Sequence, residues 1–410
     1  MKAILIIRKK IDFEILSLVL ATLLLLLSCP CMGQVQQKKA LTENDYQRWG
    51  TLEVKAISDQ GKWASYAMRY ENHSDTLFVQ NIAKNKSYVF PKGNDGRFGG
   101  EQLFAFLAPD SKLKVMELPT GKIAVYDNVK RYELAKDGQY IITLNKGYGE
   151  KCLMQIRNPN GKVIDSIDGI SEYVLNADKD AIVYASSQKD YSEIGIIHFT
   201  LYSHTAVSKA NGSHFFNLMW AKDSKSVAFL RETDSATKEV TVNYYRIADK
   251  KLFSLDYASK ADSKNMEVFK RTTYAISDDG KKVFFMLAKK KDPNLEKPDV
   301  PEIWHGNDKW LYADRQRQQT EGDIPKVALW YPDPGLCLQI SDDELPSIML
   351  SGQQQYAVLY NKFSYGLQSK YYEEADFYLT NLKDGSKELI LKKQSVDPNQ
   401  MGFDPFSNKI

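Results

Sequence analysis

Apolar residues in this chain come in short runs bounded by turn residues, not at helical spacing. Ala64-Ser65-Tyr66-Ala67-Met68, Leu103-Phe104-Ala105-Phe106 and Val227-Ala228-Phe229-Leu230 are such runs. Other segments alternate in character, as in Thr76-Leu77-Phe78-Val79-Gln80-Asn81 and Val240-Thr241-Val242-Asn243-Tyr244-Tyr245-Arg246. Short runs and alternation, with turn signals at regular spacing, predict strands joined by hairpins. The unit also repeats. Its turn reads Ser58-Asp59-Gln60-Gly61-Lys62, Ala135-Lys136-Asp137-Gly138-Gln139, Ala177-Asp178-Lys179-Asp180, Ala221-Lys222-Asp223-Ser224-Lys225 and Ser277-Asp278-Asp279-Gly280-Lys281. Gly99-Gly100 and Ser351-Gly352-Gln353 fill two further slots.

Aligning turn positions 60, 100, 137, 178, 223, 279 and 353 gives successive gaps of 40, 37, 41, 45, 56 and 74 residues. A four-stranded propeller blade takes about 40–50 residues, so most gaps hold one blade each. The predicted fold class is all-β: a seven-bladed β-propeller of four-stranded antiparallel blades spanning residues 51–410, or a truncated eight-bladed one. The second alternative rests on Gly402–Ile410, which resembles the opening turn of another blade without the strands that should follow. In the repeated turn, Asp is suited to bonding turn backbone and Gly to positive φ, which makes the recurring Asp part of the fold and not a calcium ligand.

Two segments depart from this pattern. Leu41–Gly50 predicts a short helix within an N-terminal segment (34–50), with Thr42 as cap, Asp45 as capping-box acid and Gly50 as its end. Residues 287–330 read as an insert that widens the last two gaps; it carries Trp304, Trp310 and Trp330, and strand character returns at Val327-Ala328-Leu329-Trp330.

Residues 1–33 read as a signal peptide. Arg8, Lys9 and Lys10 precede an apolar stretch of 13 residues, Ile15–Leu27, too short for a comfortable membrane span. Cleavage is expected between Gly33 and Gln34, with a lipid anchor at Cys29 as the second reading. The expected location is therefore exported, periplasmic or secreted, with no transmembrane span after signal removal. Beyond the signal two cysteines remain, Cys152 and Cys337, in different repeats; they read as separate buried thiols. With 55 basic and 52 acidic residues the charge argues against a nucleic-acid partner.

Chemistry-bearing patterns are sparse. No glycine-rich phosphate loop is present, and no Cys-x-x-Cys or His pair at metal spacing follows the signal, so no cofactor and no metal site is expected. The string nearest a nucleophile elbow, Gly169-Ile170-Ser171-Glu172-Tyr173, lacks the second glycine and lies in repeat territory. His73, His198, His204, His214 and His305 have no nucleophile to serve, and no catalytic residue is assigned. The aromatic residues read as blade packing before a carbohydrate surface. One paired carboxylate, Glu373-Glu374, is the tentative substrate contact, set against its reading as a solvated hairpin.

The ordered set of the Gln34 junction, Leu41–Gly50 leading into Thr51-Leu52, the Ser58–Tyr66 turn and strand, Asp75–Asn81 and Pro298–Trp304 resembles the N-terminal half of a Bacteroidetes-type secreted prolyl oligopeptidase family serine peptidase. The resemblance covers about residues 34–410 and implies a propeller that, in the family, precedes an α/β-hydrolase domain, admits small peptides to the catalytic chamber and excludes folded proteins. The α/β-hydrolase half, with its elbow and βαβ alternation, is not in this chain. Dipeptidyl-peptidase members use propeller glutamates to hold a substrate's amino terminus, which is what draws attention to Glu373 and Glu374. Three functional expectations stand: the non-catalytic propeller portion of such a peptidase, a stand-alone binding propeller, or one half of a split enzyme whose partner is a separate α/β-hydrolase chain. Peptides are the expected ligands of the first.

Overall fold

The computed structural model describes residues 40–404 apart from 48, 147–150, 237, 261–264, 291–323, 367–371, 396 and 398–400. It divides into two compact units, residues 1–51 with 70–73, and residues 52–69 with 74–410.

The first unit holds α1 (Glu43–Tyr46). Its predicted acid is in place: the Asp45 carboxylate accepts the Thr42 amide at 2.9 Å and the Thr42 hydroxyl at 2.7 Å. The helix is a single turn, and Gly50 does not end it but opens a strand. Tyr46 and Trp49 meet edge to face at 4.8 Å.

The rest is built from consecutive antiparallel strands. Blade 1 comprises β1 (Gly50–Ile57), β2 (Trp63–Tyr70), β3 (Thr76–Asn81) and β4 (Ser87–Pro91); blade 2 comprises β5 (Asn94–Gly99), β6 (Leu103–Ala108), β7 (Lys112–Glu117) and β8 (Ile123–Tyr126). Next come β9 (Val129–Ala135), β10 (Tyr140–Lys146), β11 (Cys152–Arg157), the long β12 (Val163–Leu175), β13 (Ala181–Ser187), β14 (Ser192–His198) and β15 (Ser203–Ala210) in one seven-stranded sheet. Blade 5 is β16 (Ser213–Trp220), β17 (Ser226–Thr233), β18 (Val240–Arg246) and β19 (Lys251–Asp256). Blade 6 is β20 (Met266–Ile276), β21 (Val283–Lys289), β22 (Lys326–Tyr331) and β23 (Leu336–Gln339); blade 7 is β24 (Ser347–Leu350), β25 (Tyr356–Tyr360), β26 (Glu374–Asn381) and β27 (Lys387–Ser395).

The seven-stranded sheet is two blades sharing one strand. The first part of β12 pairs with β11 through Val163–Ile170, and its second part pairs with β13 through Ile170–Leu175. The register shifts in both ladders near Ile170, beside Gly169 at φ 73°. A Cβ on Gly169 would lie 2.4 Å from the Ser187 carbonyl oxygen, so the bend requires glycine. With β12 counted twice, the 27 described strands form seven units of four. The fold is a β-propeller.

The second strands explain the apolar runs. Those of the inner blades are buried on both faces and need not alternate, whereas β2 buries Trp63, Ser65 and Ala67 and leaves the intervening face half-exposed. In β6, Phe104 and Phe106 pack toward blade 1 against Leu77 and Phe90, whereas Leu103 and Ala105 pack toward blade 3 against Tyr132 and Leu134. In β17, Val227 and Phe229 meet Val183 and Ile194 of blade 4, whereas Ala228 and Leu230 meet Val283 and Phe285 of blade 6. Phe284 and Leu329 of blade 6 meet Ala357 and Leu382 of blade 7. Met401 and Phe403 lie against the other face of blade 7, on Val358 and Phe377; that places part of the segment read as an opening turn over a finished blade. Most of the predicted insert lies outside the described residues. Its two ends are strand, in β21 and β22, and Trp330 is buried between blades 5 and 6.

The repeated turn is anchored one or two residues earlier than its Asp and Gly suggest. The side chains of Ser58, Asn176, Ser277 and Ser351 are buried, and each accepts the amide of the residue that opens or immediately precedes the next strand: Trp63 at 3.0 Å, Ala181 at 2.9 Å, Lys282 at 3.0 Å and Tyr356 at 3.1 Å. Asp contributes in some copies only, as where Asp223 accepts the Lys225 amide and Asp279 the Lys281 amide. Three residues after each anchor the backbone is left-handed: Gly61 (φ 70°), Lys179 (54°), Gly280 (66°) and Gln354 (49°), and so is Ser224 (59°) in the copy where Ala221 takes the anchor's place. An L side chain costs about 1–2 kcal/mol there. Lys179→Gly is therefore expected to stabilise the protein by about 0.5–1 kcal/mol and Gly280→Ala to destabilise it by about 1 kcal/mol, read as opposite shifts of the urea midpoint.

Cys152 in β11 is buried, as expected, whereas Cys337 in β23, in a different sheet, is half-buried. Burial pushes the Cys337 thiol up to about 11.

Candidate functional site

The first strands of blades 2 to 6 follow one another in contact and form a hub. Four contacts join them. Arg97 of β5 donates to the Tyr132 carbonyl and to Glu133 on β9. Arg131 of β9 stacks over the Tyr173 ring of β12, with 4.6 Å between guanidinium and centroid. Glu172 of β12 accepts the Asn217 and Leu218 amides of β16 at 2.7 and 2.9 Å, and the Asn217 side chain donates to the Lys270 carbonyl of β20 at 2.7 Å.

The hub is lined by charged side chains that hold one another. On blade 1, Glu53 pairs with Lys55 and, at 3.0 Å, with Arg69, which also donates to Asp75 at 2.6 Å. On blades 2 and 3, Arg97 grips Asp95 with two bonds of 3.2 Å and uses another edge for Glu133, whose second oxygen takes Arg131 at 3.1 Å. Between blades 5 and 6, buried Glu232 accepts Lys270 at 2.6 Å and faces His214 Nε2 at 3.2 Å. Hydrogen bonds to Lys55 and Arg69 hold the Glu53 carboxyl below its ordinary range. Burial, opposed by its two amide bonds, raises the Glu172 carboxyl.

Tyr132 is fully buried, and its hydroxyl reaches the carbonyls of both Asp95 and Ala105 across the blade 2–3 boundary, its one proton shared between them. That anchors β5, where Asp95 is left-handed at φ 49° and Gly96 lies so close to Phe104 that a Cβ would sit 2.5 Å from its ring. A cavity of about 250 Å³ opens here between blades 1 and 2, lined by Lys55, Ala67, Arg69, Leu77, Gly93, Asn94, Asp95 and Gly96.

The residues singled out from sequence lie elsewhere. Glu374 opens β26, pairs in register with Ser395 and faces Lys393 at 4.0 Å; Glu373 immediately precedes it. They belong to the outer half of blade 7 and not to a first strand. Ser171 stands within β12, where its hydroxyl donates to the Ala185 carbonyl at 3.2 Å, so the Gly169–Tyr173 string is strand and not an elbow. His204 bonds Asp165 at 2.7 Å and His214 faces Glu232; His305 lies outside the described residues. Sequence reasoning missed Lys55, Arg69, Asp95, Arg97, Arg131, Glu133 and Glu232. For Lys55, Asp95, Arg97, Arg131 and Glu133 the one signal was charge at alternate positions of first strands; Arg69 and Glu232 stand on second strands and gave none.

No protein-family model and no curated protein matches the chain. Among solved structures, the β-propeller domain of the Trilobed protease from Pyrococcus furiosus, described as having an open velcro topology, is 11% identical over 88% of this chain and 98% of that one, with a TM-score of 0.33. An acylaminoacyl peptidase from Pyrococcus horikoshii is 12% identical over 87% of this chain and 54% of that one, TM-score 0.33, so the chain spans about half of that protein. An oligogalacturonate lyase in complex with manganese is 8% identical over 81% of this chain and 90% of that one, TM-score 0.36. Propeller-containing peptidases thus stand among the structural neighbours, beside a protein of other chemistry. At such identities and scores the likenesses assign no activity or ligand to this chain. Among the described residues no helix is long and apolar enough to cross a membrane.

Proposed function

We propose that this chain is the non-catalytic propeller portion of an exported peptidase resembling the prolyl oligopeptidase family, and that it recognises short peptides at its hub without hydrolysing them. The observation that carries this reading is the hub itself. Its charged side chains, on the first strands and at the adjoining Arg69 and Asp75, are fixed by one another, while the serine nearest an elbow pattern is tied into a ladder. Such a lining recognises polar backbone and charged termini, and it offers no activated nucleophile. In the resembling family this is the gating part, which works on peptides that a hydrolase domain cleaves; here the hydrolase would be supplied in the same polypeptide or by a separate chain.

A stand-alone binding module is less well supported by the way the first strand is used. An early strand completing blade 7 would close a self-contained ring, but β1 is a member of the blade 1 sheet, and blade 7 takes all four strands from residues 347–395. Exposure of purified protein to alanine- and proline-containing chromogenic dipeptides tests the reading, with peptide association followed in parallel by calorimetry. Saturable binding without turnover is expected. Turnover that survives removal of contaminants, or no association with any short peptide, overturns it.

A further inference from the structure

The cavity between blades 1 and 2 has a built-in polarity. One wall, from β1 and β2, presents Lys55 and Arg69; the opposite wall, from β5, presents Asn94 and Asp95. The side chains of Lys55, Arg69 and Asp95 are 27%, 39% and 38% exposed, so each is reachable from the cavity yet held. Glu53 and Asp75 grip the two cations, and Arg97 grips Asp95 with a bidentate contact. Held side chains lose little further freedom when a ligand arrives.

Charge decides which ligand fits. Lys55, Arg69 and Arg97 balance Glu53, Asp75 and Asp95, so a ligand of net charge gains nothing from the set as a whole. A zwitterion gains at both ends. The volume of about 250 Å³ lies below the usual range of about 300–1,000 Å³ for small-molecule sites, which suits a fragment of one or two residues. Resting on the reading of the hub as a peptide-recognition surface, we propose that this cavity binds unblocked dipeptides, with the free carboxylate toward Lys55 and Arg69 and the free ammonium toward Asp95. It would thereby select short peptides by both termini.

Calorimetry of the full chain with Ala-Pro, its N-acetyl form and its C-terminal amide tests this. Each block is expected to weaken binding about tenfold, the worth of one charge-assisted hydrogen bond. In Asp95→Asn the penalty for N-acetylation should vanish while that for the amide remains; in Lys55→Gln the penalty for the amide should shrink, Arg69 still being present, while that for N-acetylation remains. Because each variant is read as a difference between two ligands, a general loss of stability cannot mimic the pattern. Equal binding of free and blocked peptides to the unaltered protein overturns the inference, as do penalties unchanged in both variants, and either result leaves peptide recognition at the hub standing. Failure of every peptide to bind overturns both.

Discussion

Replacing Glu172 with alanine is expected to lower the unfolding free energy by about 2–4 kcal/mol, the cost of taking the carboxylate acceptor from two amides, that of buried Leu218 and that of half-buried Asn217. The register of β16 against β17 shifts between Phe216 and Met219, and Asn217 is left-handed at φ 53°. That bulge takes the Asn217 and Leu218 amides out of the ladder, and both turn to the Glu172 carboxylate of the preceding blade. A backbone donor out of its ladder and away from water needs such a partner. Glu172→Gln keeps one acceptor and should lose less. The pH dependence has a defined sign. Burial sets the folded value of Glu172 above that of the unfolded chain, so its contribution is full below the unfolded value and falls as pH rises through the folded one. Wild type should therefore lose stability relative to Glu172→Gln as pH rises above the ordinary carboxylate range, as measured by urea unfolding across a pH series.

The second large effect is expected at the boundary of blades 5 and 6. Lys270→Met should cost about 2–3 kcal/mol, because it leaves the buried Glu232 carboxylate with His214 as its remaining partner. The figure sits below that for a fully buried pair because the lysine side chain is 40% exposed. The lysine backbone is not the issue, since its carbonyl still accepts the Asn217 side chain. The double variant Lys270→Met, Glu232→Met removes both charges and should return to within about 1 kcal/mol of wild type. Denaturant unfolding of the two single variants and the double gives the coupling directly. Recovery in the double variant separates an orphaned charge from simple loss of packing.

Much of the fold was legible because a propeller repeats its local rules. Short apolar runs marked second strands, and Ser-Asp-x-Gly-Lys marked the turns into them. The anchoring role of Ser58, Asn176, Ser277 and Ser351 was not legible, because a buried serine hydroxyl and an exposed one look alike in sequence while Asp and Gly carry known turn preferences. The passage of β12 between two blades was hidden for a similar reason: a glycine such as Gly169 looks the same in sequence wherever it stands, and only the ladder on either side shows a bend within a strand. The hub was the least legible part. Arg97 and Glu133, or Glu172 and Asn217, lie 36 and 45 residues apart and become neighbours only when first strands converge. Glu373-Glu374 drew attention because adjacent carboxylates are visible in a string, although such a pair on a strand points its members to opposite faces.

The most direct test of a recognising but non-hydrolysing propeller is intact-mass measurement after treatment with a fluorophosphonate that labels activated serines. The account predicts an unchanged mass and no labelled serine under conditions in which unblocked dipeptides bind. A stoichiometric adduct on a single serine would contradict it.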